Sequence, residues 1–438
     1  MKKQLVLSII FAFLFTVNAH SQSVSVSSWS GFVWAYADAG YDIINLSNDI
    51  NVGANIAALS LSSTTINGGG YFMDGASARS GFTFSAKTVL FKDIKLTSFS
   101  STNGGAIYAA GNSIISIVAD SFDIVFSSNK AASKPNDIYL TSSTLNLSAG
   151  ANQIRMEGGA QAVFGSAIDW SNEAGGSWYL SGINSFSKMS AFNIGSASSI
   201  TVENASWTFI HNTSQLNILN GSYLSFFNST VVFSTNTSNT ILNLSASSLF
   251  FLNSTVVFST NAGNNGGVLY AAAESQVYFD SSNFKFSSNT ALFNGGAIHS
   301  YQSTMSFLNS SAVFALNSAI DGGAVYFILG QWTMDNLYID FSSNNAGQRG
   351  GGLYIDFSSV DFSSVAARFA GNNSSNYGAA AAFLSSTISF INSDISFFKN
   401  SARNGGALYI ENSTIAFDGS TIIFSSNNVD SLGYGGAI

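Results

Sequence analysis

A unit of about 28 residues repeats through the second half of this chain, and a period of that size marks architectures in which each repeat is one layer of a stack. Its clearest element is Phe-x-x-Asn, at Phe258/Asn261, Phe286/Asn289, Phe314/Asn317, Phe341/Asn344, Phe369/Asn372, Phe397/Asn400 and Phe424/Asn427, with gaps between the Asn residues of 28, 28, 27, 28, 28 and 27. A second apolar position leads each Phe by seven: Phe251, Phe279, Phe307, Met334, Phe362, Phe390 and Phe417. A Gly-Gly pair followed by small and aliphatic residues completes the unit, at Gly266-Gly267, Gly295-Gly296, Gly322-Gly323, Gly351-Gly352, Gly405-Gly406 and Gly435-Gly436.

A gap of seven inside a period of 28 also fits heptads, but the residues between exclude a coiled coil. Stretches such as Ser254-Thr255-Val256-Val257-Phe258-Ser259 alternate small polar with β-branched or aromatic residues, which suits strands, and the glycine pairs would break a long helix. The Leu-x-x-Leu-x-Leu frame of leucine-rich repeats is absent. Each unit therefore reads as three short strands separated by turns. This predicts an all-β fold, a right-handed parallel β-helix (a three-sided β-solenoid) with about 27–28 residues per coil.

Residues two apart on a strand share a face. Two positions before the repeated Phe stand Val256, Phe284, Ala312, Ile339, Ala367, Ile395 and Ile422, all apolar, so this set and the Phe residues should point inward. Between them stand Val257, Lys285, Val313, Asp340, Arg368, Ser396 and Ile423, a mixed set that should face water. After the glycines, Leu269, Ile298, Val325, Leu353, Ala381, Leu408 and Ile438 form an inward aliphatic column, and Tyr270, His299, Tyr326, Tyr354, Ala382 and Tyr409 beside it should point outward. Asn at the end of the Phe strand tolerates left-handed backbone and bonds nearby main chain, and stacked Asn residues satisfy one another along a solenoid axis. A charge at Phe314 should unfold the local coils, whereas Tyr326→Ser should leave stability nearly intact.

Upstream of residue 250 the pattern loosens. Phe209/Asn212 and Phe233/Asn236 keep the motif at shorter spacing, Phe126/Asn129 shows it early, and residues 41–249 read as irregular coils against the regular coils of 250–438. Trp29, Phe32, Val33 and Tyr36 lie at i, i+3, i+4, i+7, so residues 20–40 should hold a short capping helix that covers the first open edge. Before them, Lys2 and Lys3, the apolar run Leu5 to Val17 and the small-residue site Val17-Asn18-Ala19 make residues 1–19 a signal peptide, since that run falls short of the ~20 residues a bilayer span needs. The chain stops within a strand motif at Gly435-Gly436-Ala437-Ile438, which implies that the natural product runs further.

Composition narrows the function. Hydrophobic residues make up 46% and charged residues 9%, which is neither a disordered composition nor one that suits helix surfaces. A net charge of -8 with no basic run beyond Lys2-Lys3 excludes nucleic acid as a partner, and with no cysteine there are neither disulfides nor thiolate metal sites.

The interleaved Gly-Gly-Ala-[Ile/Leu/Val] and Phe-x-x-Asn motifs resemble those of the chlamydial polymorphic membrane proteins; the first stands at 104–107, 295–298, 322–325, 405–408 and 435–438, with 266–269 a near miss. The resemblance, strongest over 250–438, implies a β-helical passenger exported to the outer membrane, cell surface or medium and working as an adhesin. Members of that family commonly carry cysteines and end in a membrane barrel. This sequence has neither, so membrane contact is expected only through a region not present here.

Many β-helices cleave polysaccharides, which takes carboxylates a few ångströms apart or an acidic metal cluster. In register, Asp280 and Asp418 share a column five coils apart, while Asp340, Asp356, Asp361 and Asp394 scatter; His20, His211 and His299 stand apart from one another. No catalytic residue, metal ligand or cofactor is therefore expected, and Asp340 with Arg368 reads as a surface ion pair. The candidate binding stripe is Tyr270, His299, Tyr326, Tyr354 and Tyr409, whose rings suit sugars or a protein face. Its expected partner is a glycan or protein on a host or neighbouring cell, with a polysaccharide-degrading enzyme or a structural stalk as the alternatives. The Asn-x-Ser/Thr strings, such as Asn228-Ser229-Thr230 and Asn253-Ser254-Thr255, read as products of composition.

Overall fold

Alternating apolar and small polar residues fold here into parallel strands that climb one rung per repeat. The computed structural model describes residues 22–438 apart from 38–40, 58, 60, 102–104, 132–136, 142, 150–151, 158–159, 165–166, 172–176, 188–190 and 196–198. The signal-peptide reading of residues 1–19, and with it His20, lies outside the described residues. The chain is a parallel β-solenoid with one short helix near its start.

Among the described residues three sheets run along the solenoid, of 16, 27 and 7 strands, besides a two-stranded pair. The expected three strands per regular coil become four: one coil comprises Leu269–Ala272, Gln276–Asp280, Asn283–Ser287 and Thr290–Asn294. The middle two belong to the same bent sheet, and upstream the long strands Ser177–Ser187 and Ser199–Ile210 cross that bend unbroken. The gap of seven thus has a geometric cause: it carries one position of a five-residue strand across a two-residue corner to the same position of the next strand.

Register puts equivalent residues on top of each other. Phe258 pairs with Phe286, Phe286 with Phe314, and Phe314 with Phe341. Their rings stack at 4.7, 4.5 and 4.9 Å, close to the rise between parallel strands, and the series continues through Phe369, Phe397 and Phe424. The column of Phe251, Phe279, Phe307, Phe362, Phe390 and Phe417 is interrupted at Met334, where Trp332 on the same strand adds the volume and packs 5.6 Å from Phe307.

The Asn residues form a buried spine. In each step the backbone N–H and Nδ2 of one Asn both donate to Oδ1 of the Asn one coil on, at 3.0 and 3.0 Å from Asn289 to Asn317, and Nδ2 also donates to the carbonyl of a Phe, as from Asn289 to Phe258 at 3.0 Å. The same bonds link Asn212, Asn236, Asn261, Asn289, Asn317, Asn344, Asn372, Asn400 and Asn427. Left-handed backbone does not fall on the Asn, as the sequence suggests, but on the residue before it: Thr260, Ser288, Leu316, Ser343, Gly371, Lys399 and Ser426. The other corners repeat this arrangement with Ser. Asn228 and Asn253 have φ of 47° and 49°, and the N–H of Ser229 and Ser254 donate to Ser254 and Ser282 Oγ one coil on. The Asn-Ser strings therefore have a structural role, with Asn taking the left-handed position and Ser the ladder.

At the glycine corner the first residue of the pair has φ near 60°, as at Gly266 and Gly295; in the triple glycine it is Gly350, one residue earlier than the pair read from the motif. A Cβ on the second glycine, Gly267, would lie 2.1 Å from the Gly296 carbonyl of the next coil.

The helix Trp29–Ala37 starts at Ser28, whose Oγ accepts the Gly31 N–H at 3.2 Å. Phe32 and Tyr36 close the core against Phe82. Ala35 is buried with them, whereas Val33, expected on the apolar stripe, is 41% exposed. No helix among the described residues is long and apolar enough to cross a membrane.

Candidate binding face

The outward column beside the Leu269–Leu408 core residues is continuous and changes chemistry partway along. Asn217 pairs with Asn243, Asn243 pairs with Tyr270, and the column goes on through His299, Tyr326, Tyr354, Ala382 and Tyr409. Strand register alone brings these residues together, since each lies one rung above the last.

All five residues of the expected stripe fall in this column, but they are not the open row the alternation predicts. Tyr354 is 1% and His299 8% exposed, while Tyr270, Tyr326 and Tyr409 are partly buried. The rings cover one another: Tyr270 meets His299 edge to face at 5.0 Å, His299 meets Tyr326 at 4.8 Å, and Tyr326 stacks on Tyr354 at 4.8 Å. The fourth strand of each coil adds a wall. On it Asp321 accepts two bonds from Arg349, at 3.0 Å from Nε and 2.9 Å from Nη2, and the guanidinium lies 4.8 Å from the Tyr354 ring centre. Where Ala382 would leave a gap, Tyr377 of the wall packs 4.5 Å from Tyr409.

Asp321, Arg349 and Tyr377 escape the motif reading because it stops at the strands flanking the Phe and the glycines. One signal was available: Asp321 and Arg349 are 28 residues apart, the repeat itself. The same register holds the pair that was expected, Asp340 and Arg368, whose Nη1 lies 3.1 Å from both carboxylate oxygens; exposed as it is, it contributes about 0 to 1 kcal/mol. His211 is exposed with φ of 54° and occupies the corner before Asn212, away from His299.

Burial governs the electrostatics. His299 is lowered to about 4 by desolvation, and its Nδ1 has no hydrogen-bond partner among the described residues, so it is neutral at pH 7. Burial raises the tyrosines: Tyr270, Tyr326 and Tyr354 most of all through loss of water, Tyr409 through loss of water and then its bond to Glu411 at 3.0 Å. Arg349 is held charged by Asp321. The face offers ring edges, neutral hydroxyls and one fixed ion pair. Those groups serve contact chemistry.

Among known proteins, a family model described as "Putative pectate lyase-like adhesive domain" matches residues 23–115, which hold the capping helix and the first coils. No curated protein matches. A solved structure titled "L. reuters 100-23 SRRP" is similar over 95% of this chain and 98% of that one, at 15% identity and a TM-score of 0.24.

Proposed function

We propose that this protein is an adhesin-like binding protein, secreted or displayed at a cell surface, that holds a glycan or protein of a host or neighbouring cell along one long repetitive face. The observation that carries this reading is the continuous column from Tyr270 to Tyr409, in which Tyr270, His299, Tyr326 and Tyr354 pack ring on ring in strand register. A rigid aromatic row loses little side-chain freedom on binding, and repetition along an axis suits a ligand that is itself repetitive. The adhesive-domain match over 23–115 supports the same reading, as does the resemblance of the two motifs to those of exported β-helical passengers.

The other half of the family description favours a second reading, a polysaccharide-cleaving enzyme. An isolated neutral His299 is a poor general base, and Asp321 is engaged by Arg349, which makes binding the better account of this face. One experiment separates the two. The chain is tested on glycan arrays and on whole cells, and in parallel for release of reducing ends or unsaturated products from a polysaccharide panel. Retention without cleavage is expected, and turnover of any polysaccharide would replace the adhesin reading with the enzymatic one.

A further inference from the structure

The outward column changes from amides to aromatics at one place, and the surface there is not flat. Between the spine Asn and the next core aliphatic the corner lengthens coil by coil: three residues (213–215) separate Asn212 from Leu216, five (237–241) separate Asn236 from Leu242, and seven (262–268) separate Asn261 from Leu269. Across these three corners the fourth strand begins at the longest, where Ala262–Asn265 opens the seven-stranded sheet. The three corners form a staircase, and the step borders an open surface cleft of about 600 Å³ lined by Gln215, Asn217, Asn239 and Asn264 with small Ser, Thr, Ala and Gly neighbours. It continues into a second hollow of about 350 Å³ that shares Gln215, Asn239 and Asn264 and reaches Asn243 and Tyr270.

The side chains in this cleft are already arranged. Asn217 Oδ1 accepts from Gln215 Nε2 at 2.7 Å and from Asn243 Nδ2 at 2.8 Å, and Asn239 Oδ1 accepts from Asn264 Nδ2 at 3.0 Å. These bonds fix which way each amide faces. They leave the opposite ends, Nδ2 of Asn239 and the Oδ1 atoms of Asn243 and Asn264, without a partner among the described residues, so one wall presents a donor and two acceptors held in place. At the far end Tyr270 has His299 on one side and only Asn243 on the coil before it, which leaves aromatic surface bordering the hollow. No charged side chain lines either part.

We propose that this staircase cleft binds an uncharged sugar unit of a glycan chain. Fixed amide donors and acceptors match ring hydroxyls, a tyrosine ring packs on the C–H face of a pyranose, and the volumes fall in the range of about 300 to 1,000 Å³ usual for small-ligand sites. The lack of any cation in the cleft, with a chain net charge of -8, works against uronate, sulfate and phosphate groups. The cleft lies at the upstream end of the aromatic column, so a glycan seated there enters the stripe by its next units. This rests on the glycan form of the binding reading above.

The test uses the whole chain with defined tetrasaccharides: cellotetraose, maltotetraose, chitotetraose and β-1,4-galactotetraose, with tetragalacturonate as the anionic comparator, followed by saturation-transfer NMR and calorimetry. At least one neutral tetrasaccharide should bind, with affinity unchanged at 0.5 M NaCl, weakened at least tenfold by Asn264→Leu or Tyr270→Ala and retained by Lys285→Ala, an exposed position on another sheet of the solenoid. Asn239 and Asn264 are exposed, so their replacement leaves the core intact. Neutral binding that survives Asn264→Leu and Tyr270→Ala but is lost with Tyr409→Ala overturns the cleft while leaving the adhesin reading standing. Stronger, salt-sensitive binding of tetragalacturonate, or binding of cells with no neutral tetrasaccharide bound, likewise overturns the cleft. Retention of neither sugars nor cells overturns both.

Discussion

The coils around Asn212 and Asn236 and those from Asn261 onward share an interior and differ at one corner. Both carry the Asn spine and the stacked Phe column: Phe209 packs on Phe233 and Phe233 on Phe258, just as Phe286 packs on Phe314 downstream. The spine residues are 24 or 25 apart upstream and 27 or 28 apart downstream, and the extra residues go into the fourth strand. The difference teaches that stability and surface chemistry are encoded separately in this fold. The core sets the rung, and the corner segment, free to vary in length, builds the wall that carries Asp321, Arg349 and Tyr377 and turns a plain Asn column into a walled aromatic one.

If the spine is common to both regions, damaging it should cost the same in each. Asn317→Leu strips the acceptor from two buried donors of Asn289 and one donor from the Phe286 carbonyl, and Asn236→Leu does the equivalent to Asn212 and Phe209. Each should cost about 3 to 9 kcal/mol, at about 1 to 3 kcal/mol for each of the three buried groups left unpaired, read as local loss of hydrogen-exchange protection. A tolerant upstream variant beside a ruinous downstream one would break the comparison.

The walled column should give the downstream coils a pH response that the upstream coils lack. His299 has an ordinary value of 6.5 and a folded value of about 4, so the unfolded chain binds the proton first as acid is added. Stability from this group is complete above pH 6.5 and is lost as pH falls from there toward 4. A shift of that size corresponds to about 3 kcal/mol at most. Protection around His299 should fall over that window and His299→Phe should flatten the response; an unchanged slope in the variant would show that other groups cause it.

The wall also changes what Tyr326→Ser should do. Alternation alone makes it nearly neutral, but the ring contacts to His299 and Tyr354 predict a loss of about 1 to 2 kcal/mol by thermal denaturation. A shift of no more than a few tenths would mean that the column is a loose surface row. The smallest effect expected is a gain. Leu316 is 61% exposed with φ of 58°, while the equivalent corner residue 371 is already Gly, so Leu316→Gly should stabilise by about 0.5 to 1 kcal/mol. Destabilisation would show that the Leu side chain packs in a way its exposure denies.

Much of this was legible in the residues. Phe and Asn are distinctive enough to show a period, and that period implies the stacking, the parallel register and the inward columns. The Ser ladders were not legible, because Ser is so common here that a Ser every 28 residues carries no signal. The fourth strand was hidden because segments such as Ala262–Asn265 and Ser318–Asp321 show no alternation of apolar and polar residues. That the five stripe residues share one column was legible from the period, but their environment was not: Arg349, on another strand of the coil, lies over the Tyr354 ring. The cleft depends on differences in length between neighbouring coils, which a search for constant spacing removes by design.

Register is the claim on which all of this stands, and a chain without cysteine allows it to be measured directly. Lys285 and Val313 are paired on successive coils and point outward, with Asp340 one coil further. Neighbouring parallel strands lie about 4.8 Å apart, within the Cα range of about 4.4 to 6.8 Å for a disulfide, whereas two rungs span nearly ~10 Å. Under mild oxidation the double variant Lys285→Cys/Val313→Cys should cross-link within one chain and Lys285→Cys/Asp340→Cys should stay reduced. Equal cross-linking of the two, or none in the first, would contradict the stacked solenoid.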